Sequence, residues 1–127
     1  MKRLLNYIPT LIIVIAIGYL SLTTALPVSL PRFNIPYADK WMHFLMYMAL
    51  CIAMMTDMQR DNIRFRLSAF ITFVFAILYG GLIELLQSCF FSPRTGEWLD
   101  WIADAAGAFC GIFITFVLLK LCNRPNR

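Results

Sequence analysis

Residues 67–89 read LSAFITFVFAILYGGLIELLQSC, and this stretch decides the fold class. Apolar side chains dominate it, and Glu84 is its one charged residue. A helix of about 20 residues, rising about 1.5 Å per residue, covers the roughly 30 Å hydrocarbon core of a bilayer. The stretch therefore predicts a transmembrane helix.

Three further apolar runs surround this helix, at residues 7–26, 41–56 and 99–121. The chain has 127 residues, of which 61% are hydrophobic and 14% charged, and its mean hydropathy is +0.73. A soluble domain of this size cannot bury so large an apolar fraction. We expect an all-α polytopic membrane protein, with a single domain over residues 1–127 that forms a bundle of four transmembrane helices.

The first run has an alternative interpretation, because Lys2 and Arg3 before an apolar stretch also describe a cleaved signal peptide. The run is long for a signal, however, and residues 21–25 offer a poor small-residue cleavage site before Pro27. An uncleaved first helix is therefore favoured.

The basic residues divide unevenly between the two predicted sides of the membrane. Eight of the 11 Lys and Arg residues share one side with both termini and the middle loop, and Arg32, Lys40 and Arg94 lie opposite. Lys and Arg in short loops favour the cytoplasmic side. We expect both termini inside, and residues 27–40 and 90–98 outside. The net charge of +4 does not indicate nucleic-acid binding, because no amphipathic element interleaves basic residues with aromatics.

Polar side chains gather at the predicted outer ends of three helices. His43 lies near the start of the second run, Glu84 and Gln87 near the end of the third, and Asp100 and Asp104 near the start of the fourth. Acids at this depth are costly when they face lipid, and residues three or four apart share a helix face. We therefore expect these side chains, together with Arg94, to line one outward-facing pocket.

The residue types suggest roles within this pocket. Lys40 and Arg94 could clamp an anionic group, while Glu84 and a pair formed by Asp39 and His43, which share a helix face, could exchange protons as hypothetical catalytic groups. The expected ligand-binding set is Lys40, Tyr47, Gln87, Arg94, Asp100 and Asp104.

Each feature also has an ordinary explanation. Asp39 could cap a helix, His43 could be a packing residue, and tryptophans 41, 98 and 101 could anchor the chain at the membrane interface. Gly80-Gly81 favours a packing notch, and the Gly107 and Gly111 pair would let a neighbouring helix approach closely.

Two further functions are disfavoured by the sequence. His43, Glu84 and Asp104 could hold a metal, but a single His among carboxylates has no diagnostic spacing, so we expect no metal and no cofactor. A proton-linked transporter would need a continuous polar path, and the cytoplasmic halves of the helices are expected to lack polar side chains.

The order of the motifs is similar to that of a known family. Residues 39–47 (DKWMHFLMY), 83–87 (IELLQ) and 94–107 (RTGEWLDWIADAAG) resemble the VanZ-like pattern of an acid and a lysine, His-Phe, Tyr, Glu-x-x-Gln, Arg and Asp-x-x-x-(Asn/Asp)-x-x-Gly. The match covers about residues 39–111. Asp104 stands where many members carry Asn, which adds a negative charge to the pocket.

The resemblance implies a bacterial cytoplasmic-membrane protein whose namesake is associated with resistance to the glycopeptide antibiotic teicoplanin. It implies no defined chemistry, so enzymatic activity stays open. In one hypothesis the pocket binds or modifies an anionic envelope lipid or a glycopeptide-type ligand. In the other, the polar cluster is structural, and the protein is a non-catalytic scaffold or interaction protein. Membrane lipids are expected partners, and a homo-oligomer is left open.

Overall fold

The computed structural model describes residues 2–23, 37–90 and 97–122, and nearly all of these residues are α-helical. The helices are α1 (Lys2–Leu5), α2 (Ile8–Leu22), α3 (Ala38–Arg60), α4 (Phe65–Phe90) and α5 (Trp98–Leu121). The predicted all-helical fold class is confirmed. The end of the predicted first span (24–26) and most of both predicted outer segments lie outside the described residues.

Three of these helices, α3, α4 and α5, are long and apolar enough to cross a membrane, judged by length and composition. Helix α2 has 15 residues, which corresponds to about 22 Å and falls short of a full hydrocarbon core. Large apolar side chains point out of the bundle along the long helices; Phe70 and Leu78 are each 68% exposed. A surface of this kind suits lipid, and the chain is a helical membrane protein.

Helix α3 extends beyond the apolar run that predicted it, which covered residues 41–56. It begins at Ala38 and continues to Arg60 because the polar residues of its last turns bond within the protein. Asp57 accepts hydrogen bonds from Thr10 of α2, and Gln59 donates to Ser68 of α4. The bounds of α4 and α5 lie within two residues of those predicted.

Consecutive helices from α2 to α5 run antiparallel. The start of α2 lies beside the end of α3, where Thr10 meets Asp57. The end of α4 lies beside the end of α2, where Gln87 meets Ser21. The start of α5 lies beside the end of α4, where the N–H of Glu97 meets Glu84. The starts of α3 and α5 and the end of α4 therefore share one end of the bundle.

Helix α5 packs most closely on α3, along the predicted stripe of small residues. A Cβ atom on Gly107 would collide with the backbone oxygen of Phe44, and one on Gly111 would lie 2.6 Å from that of Met48. The absence of side chains at these two positions lets the backbones approach. This approach brings the first turns of α5 against the first turns of α3.

The opposite end of the bundle holds more polar groups than the sequence suggested. Asp57, Ser68, Thr72 and Thr115 are all buried there, so the expectation that these helix halves lack polar side chains is wrong. Thr115 donates to the backbone oxygen of Gly111, one turn earlier in the same helix. Its hydroxyl is therefore satisfied without a partner side chain.

Candidate functional site

Five side chains from three helices meet at one end of the bundle, and we call them the histidine cluster: Lys40 and His43 of α3, Glu84 of α4, and Asp100 and Asp104 of α5. His43 is at its centre. Its Nδ1 lies 2.9 Å from Oδ1 of Asp104, and its Nε2 lies 3.8 Å from Oδ2 of Asp100. Asp104 is fully buried and His43 nearly so.

Glu84 joins the cluster from α4 and is held by the start of α5. Its Oε2 accepts a hydrogen bond of 2.8 Å from the backbone N–H of Glu97, the residue before α5. The first N–H groups of a helix have no partner within the helix, and they carry partial positive charge. The Glu84 carboxylate satisfies one such N–H group and so fixes α4 to α5.

The Gly80-Gly81 pair makes room for this arrangement. A Cβ on Gly80 would lie 2.6 Å from Oδ2 of Asp104, and one on Gly81 would lie 3.5 Å from the indole nitrogen of Trp101. Trp101 also donates to the backbone oxygen of Ile77, at 2.9 Å. The pair is a packing notch in α4 that receives side chains of α5.

Lys40 occupies the rim of the cluster and is shared by three carboxylates. Its Nζ lies 2.9 Å from Glu97, 3.3 Å from Asp39 and 3.3 Å from Asp100. The ammonium group is thereby surrounded by acids. It offers little free positive charge to a ligand.

Four buried polar atoms of the cluster and of Tyr47, which lies one turn after His43 on α3, lack hydrogen-bond partners among the described residues. They are Oε1 of Glu84, Oδ1 of Asp100, Oδ2 of Asp104 and the hydroxyl of Tyr47. The Asp100 oxygen still has the Lys40 ammonium group at 3.3 Å, whereas the other three atoms have no ion pair within the described part of the chain. A buried polar group without a partner costs about 1–3 kcal/mol, and more when it is charged. Such groups are rare in native structures and call for an explanation.

The His43–Asp104 contact determines what the cluster can do chemically. When Nδ1 carries the proton, it donates to Asp104, and Nε2 then presents a lone pair toward the acids around it. A carboxylate that holds an imidazole in this way fixes its orientation and raises its basicity. His43 could then accept a proton or bind a cation, and Glu84 could do either beside it.

A groove of about 390 Å³ runs beside the cluster between α4 and α5. Glu84 and Glu97 form its polar end, and Gly81, Leu85, Trp98 and Trp101 form its apolar walls. Leu85 is 60% exposed and Trp98 69% exposed, so the groove opens on the lipid-facing surface of the bundle. It connects that surface to one buried carboxylate.

The structure brings together most, but not all, of the residues predicted from the sequence. Lys40, His43, Glu84, Asp100 and Asp104 meet, and Tyr47 lies buried beneath His43. Arg94 lies outside the described residues.

Two predicted members of the pocket have other partners. Asp39 bonds Lys40 and not His43, because α5 packs over His43 and supplies Asp104 in its place. Gln87 donates to the backbone oxygen of Ser21, at 2.7 Å, and so holds α4 to α2.

Sequence reasoning missed two features of the molecule. Glu97 was not among the predicted site residues, although its position just before an apolar run marks a helix start with free N–H groups. A second polar group at the opposite end was also missed. We call it the Asp57 cluster: Asn6, Thr10, Asp57, Arg60 and Asp61. Thr10 within an apolar run was its one signal.

Comparison with known proteins agrees with the order of the motifs. Neither a curated protein nor a solved structure matches this chain. The family model described as VanZ/LLP1 matches residues 2–120, which is nearly the whole sequence. The chain therefore belongs to the VanZ/LLP1 family, as the spacing of its motifs predicts.

Proposed function

We propose that this protein crosses the bacterial cytoplasmic membrane four times, with both termini in the cytoplasm. In this arrangement the histidine cluster faces outward and binds or modifies an anionic envelope lipid. The observation that carries the proposal is the groove between α4 and α5, which joins the lipid-facing surface to Glu84.

The groove suits an amphipathic ligand better than a wholly polar one. Its walls are apolar and open sideways, so an acyl or isoprenoid chain can enter from the bilayer without crossing water. Its polar end then meets the headgroup, where a protonated Glu84 carboxyl would donate a hydrogen bond to an anionic oxygen, and His43 with Asp104 lies behind it. Ligand sites commonly combine apolar walls with a few convergent polar groups.

Within this site the residues have distinct roles. Glu84 and His43 hold and exchange protons, Trp98 and Trp101 contact the chain, and Lys40 with Asp39 forms the outer rim. A glycopeptide-type ligand would instead approach from water at the Lys40 rim, where three acids already surround the ammonium group. The lipid is therefore the better candidate.

The bonding around the cluster also favours a second candidate function, a non-catalytic scaffold. Lys40 ties α3 to the start of α5, and Trp101 ties α5 to α4. Bonds of this kind hold a bundle together without a ligand. The two functions differ in whether Glu84 is needed as an acid.

Tryptophan fluorescence tests the lipid directly, since two of the three tryptophans line the groove. We would place a Trp41→Phe variant in nanodiscs and add a polyprenyl phosphate, with the uncharged polyprenol as control. We expect saturable quenching or a spectral shift with the phosphate, weakened by Glu84→Gln. Equal responses to the phosphate and the polyprenol would contradict recognition of an anionic headgroup.

A phenotype test asks whether the site affects resistance to glycopeptide antibiotics, as the resemblance to the family suggests. We expect deletion of the gene to change the sensitivity of the bacterium to teicoplanin, and a plasmid copy of the wild type to restore it. Restoration by Glu84→Gln at normal abundance would favour the scaffold function.

Cysteine labelling tests the orientation. In a background without the four native cysteines, an impermeant maleimide should label Asn34→Cys in intact cells. It should label Asn62→Cys, between α3 and α4, only after the cells are opened. Asn34 lies outside the described residues, and the expectation rests on the uneven distribution of basic residues. Labelling of Asn34→Cys from the cytoplasm alone would overturn the orientation.

A further inference from the structure

We infer that His43, Glu84 and Asp104 form a binding site for one divalent transition-metal ion, Zn²⁺ or Mn²⁺. The sequence alone does not indicate a metal, because it has a single histidine and no metal-ligand spacing. Three helices of the fold bring the three side chains together.

The geometry supplies three donor atoms. A ring nitrogen of His43 and one carboxylate oxygen each from Glu84 and Asp104 all lie within 4.8 Å of one another, and all three residues are buried. Bonds of about 2.0–2.2 Å bring the donors of one ion within about 4 Å of each other. Side-chain rotations that move the donors by about 1 Å would therefore close the site.

The free carboxylate oxygens are independent evidence for a cation. Glu84 is 91% buried and Asp104 wholly so, from exposed fractions of 9% and 0%. Hydrogen bonds use Oε2 of Glu84 and Oδ1 of Asp104, whereas Oε1 and Oδ2 have no partner among the described residues. Each ligand thus keeps one acceptor free, and Oδ2 of Asp104 points toward the Gly80 notch of α4.

The negative charge of the cluster also favours binding of a cation. Among the described residues, His43 is the one cationic side chain in ion-pair contact with Asp104, and Glu84 has no ion pair. Two buried carboxylates near one imidazole leave negative charge uncompensated, which is costly in a low-dielectric interior. A divalent ion would neutralise both carboxylates at once.

A neighbouring acidic group is a weaker candidate for the cation. Asp39, Glu97 and Asp100 also approach one another, but Asp39 and Glu97 are exposed. Lys40 already stands among all three. Its ammonium group supplies the positive charge that a metal would bring.

The donor types select the ion. One imidazole nitrogen with two carboxylate oxygens suits Zn²⁺ or Mn²⁺, whereas Mg²⁺ and Ca²⁺ prefer oxygen donors alone. Three protein ligands leave a coordination position open, as in catalytic metal sites. A phosphate oxygen could occupy that position. The metal ion would then supply the positive charge that Lys40 does not offer to an anionic ligand. Metal binding itself does not rest on the proposed lipid.

The first test measures metal binding by the wild-type protein without any added lipid. The protein is purified in detergent with an affinity tag that contains no histidine, and Zn²⁺ and Mn²⁺ are titrated by calorimetry and counted by mass spectrometry. We expect one ion per chain. Electron paramagnetic resonance of bound Mn²⁺ should show a nitrogen coupling, and His43 is the one histidine that can cause it.

Variants then assign the ligands. We expect Glu84→Gln, Asp104→Asn and His43→Gln to weaken binding by about 100-fold or more, since even outer-shell partners of metal ligands contribute about 10- to 100-fold. Glu97→Gln is the matched control, because it removes a nearby charge but keeps the backbone N–H that holds Glu84. It should bind metal as the wild type does.

Three results would overturn the site. One is the absence of stoichiometric Zn²⁺ or Mn²⁺ binding by monodisperse wild-type protein, which needs no variant to fold. Another is bound Mn²⁺ without a nitrogen coupling. The last is loss of binding in Glu97→Gln with retention in Glu84→Gln, which would assign the ion to the exposed acids. Metal binding without a lipid response would keep this site and contradict the lipid proposal alone.

Discussion

The histidine cluster and the Asp57 cluster lie at opposite ends of α3 and differ in how their carboxylates are bonded. Asp57 is buried, and both of its oxygens have donors: Oδ2 accepts from the N–H and hydroxyl of Thr10, at 3.3 and 2.6 Å, and Oδ1 accepts from Arg60 at 3.4 Å. Glu84 and Asp104 are buried as well, but each has one oxygen without a partner among the described residues.

This difference separates a structural role from a functional one. A buried acid whose hydrogen bonds are complete stabilises the fold, and its loss leaves its donors unsatisfied. A buried acid with a free oxygen raises the free energy of the fold unless something binds it. We therefore expect the Asp57 cluster to matter for stability and the histidine cluster for binding.

The largest loss of stability is expected when α5 can no longer pack on α3, because the histidine cluster depends on this contact. In Gly107→Leu, the added side chain would meet the backbone oxygen of Phe44, which cannot move aside alone. We expect a loss of more than about 3 kcal/mol of stability, since even ordinary overpacking costs about 1–3 kcal/mol. Fluorescence-detected size exclusion after heating would measure it. Ala106→Leu, on the exposed side of the same helix, should fold normally; equal damage by both would contradict the packing argument.

The second largest loss of stability should follow removal of Asp57, the buried acid whose two oxygens both have donors. Asp57→Ala takes away the acceptor of two Thr10 hydrogen bonds in a buried place. We expect a loss of about 2–4 kcal/mol, because a buried acceptor is removed and the partly buried donors of Thr10 lose their partner. Asp61→Ala breaks one bond, from Asn6, at a partly exposed site and should cost about 1 kcal/mol or less. Thermal melting in one detergent would compare the two. A smaller loss for Asp57→Ala would undermine the structural role of its cluster.

These two ends also show how far the sequence could predict the molecule. The long helices follow from apolar runs, because a bilayer requires a fixed length of apolar helix. The meeting of His43, Glu84 and Asp104 was foreseen because all three lie at the same depth on antiparallel helices. The hydrogen-bond partners within the cluster were not predicted. The rotation of α5 against α3 places Asp104 beside His43, and Asp39 bonds Lys40.

Other contacts were beyond sequence reasoning because they use backbone groups. Gln87 bonds the backbone oxygen of Ser21, and the backbone N–H of Glu97 bonds Glu84. A backbone group is present at every position, so no residue pattern marks these partners. The Asp57 cluster was missed for a related reason, since its acid lies past the apolar run that defined the helix and pairs with a distant threonine.

Glu84→Gln should change stability little but remove function. The amide oxygen of glutamine can still accept from the N–H of Glu97. The amide nitrogen adds a donor near Asp104, whose Oδ2 has no donor among the described residues. We expect a change in unfolding free energy within about 1 kcal/mol, as for a conservative polar replacement. Metal binding and the tryptophan response to polyprenyl phosphate should both fall sharply. Wild-type abundance together with wild-type phenotype would exclude an acid role and leave packing as the explanation.

Asp39→Asn should have the smallest effect of all, although the sequence placed Asp39 beside His43. The Asp39 side chain is 59% exposed, and its partner Lys40 keeps Glu97 and Asp100 after the change. Exposed ion pairs contribute little to stability, and the loss of one charge from the first turn of α3 weakens its interaction with the helix dipole only slightly. Melting temperature, metal affinity and lipid response should match those of the wild type. A loss of metal or lipid binding comparable to that of Glu84→Gln would show that the whole acidic rim belongs to the site, and the contrast between bonded and free carboxylates would then no longer separate function from structure.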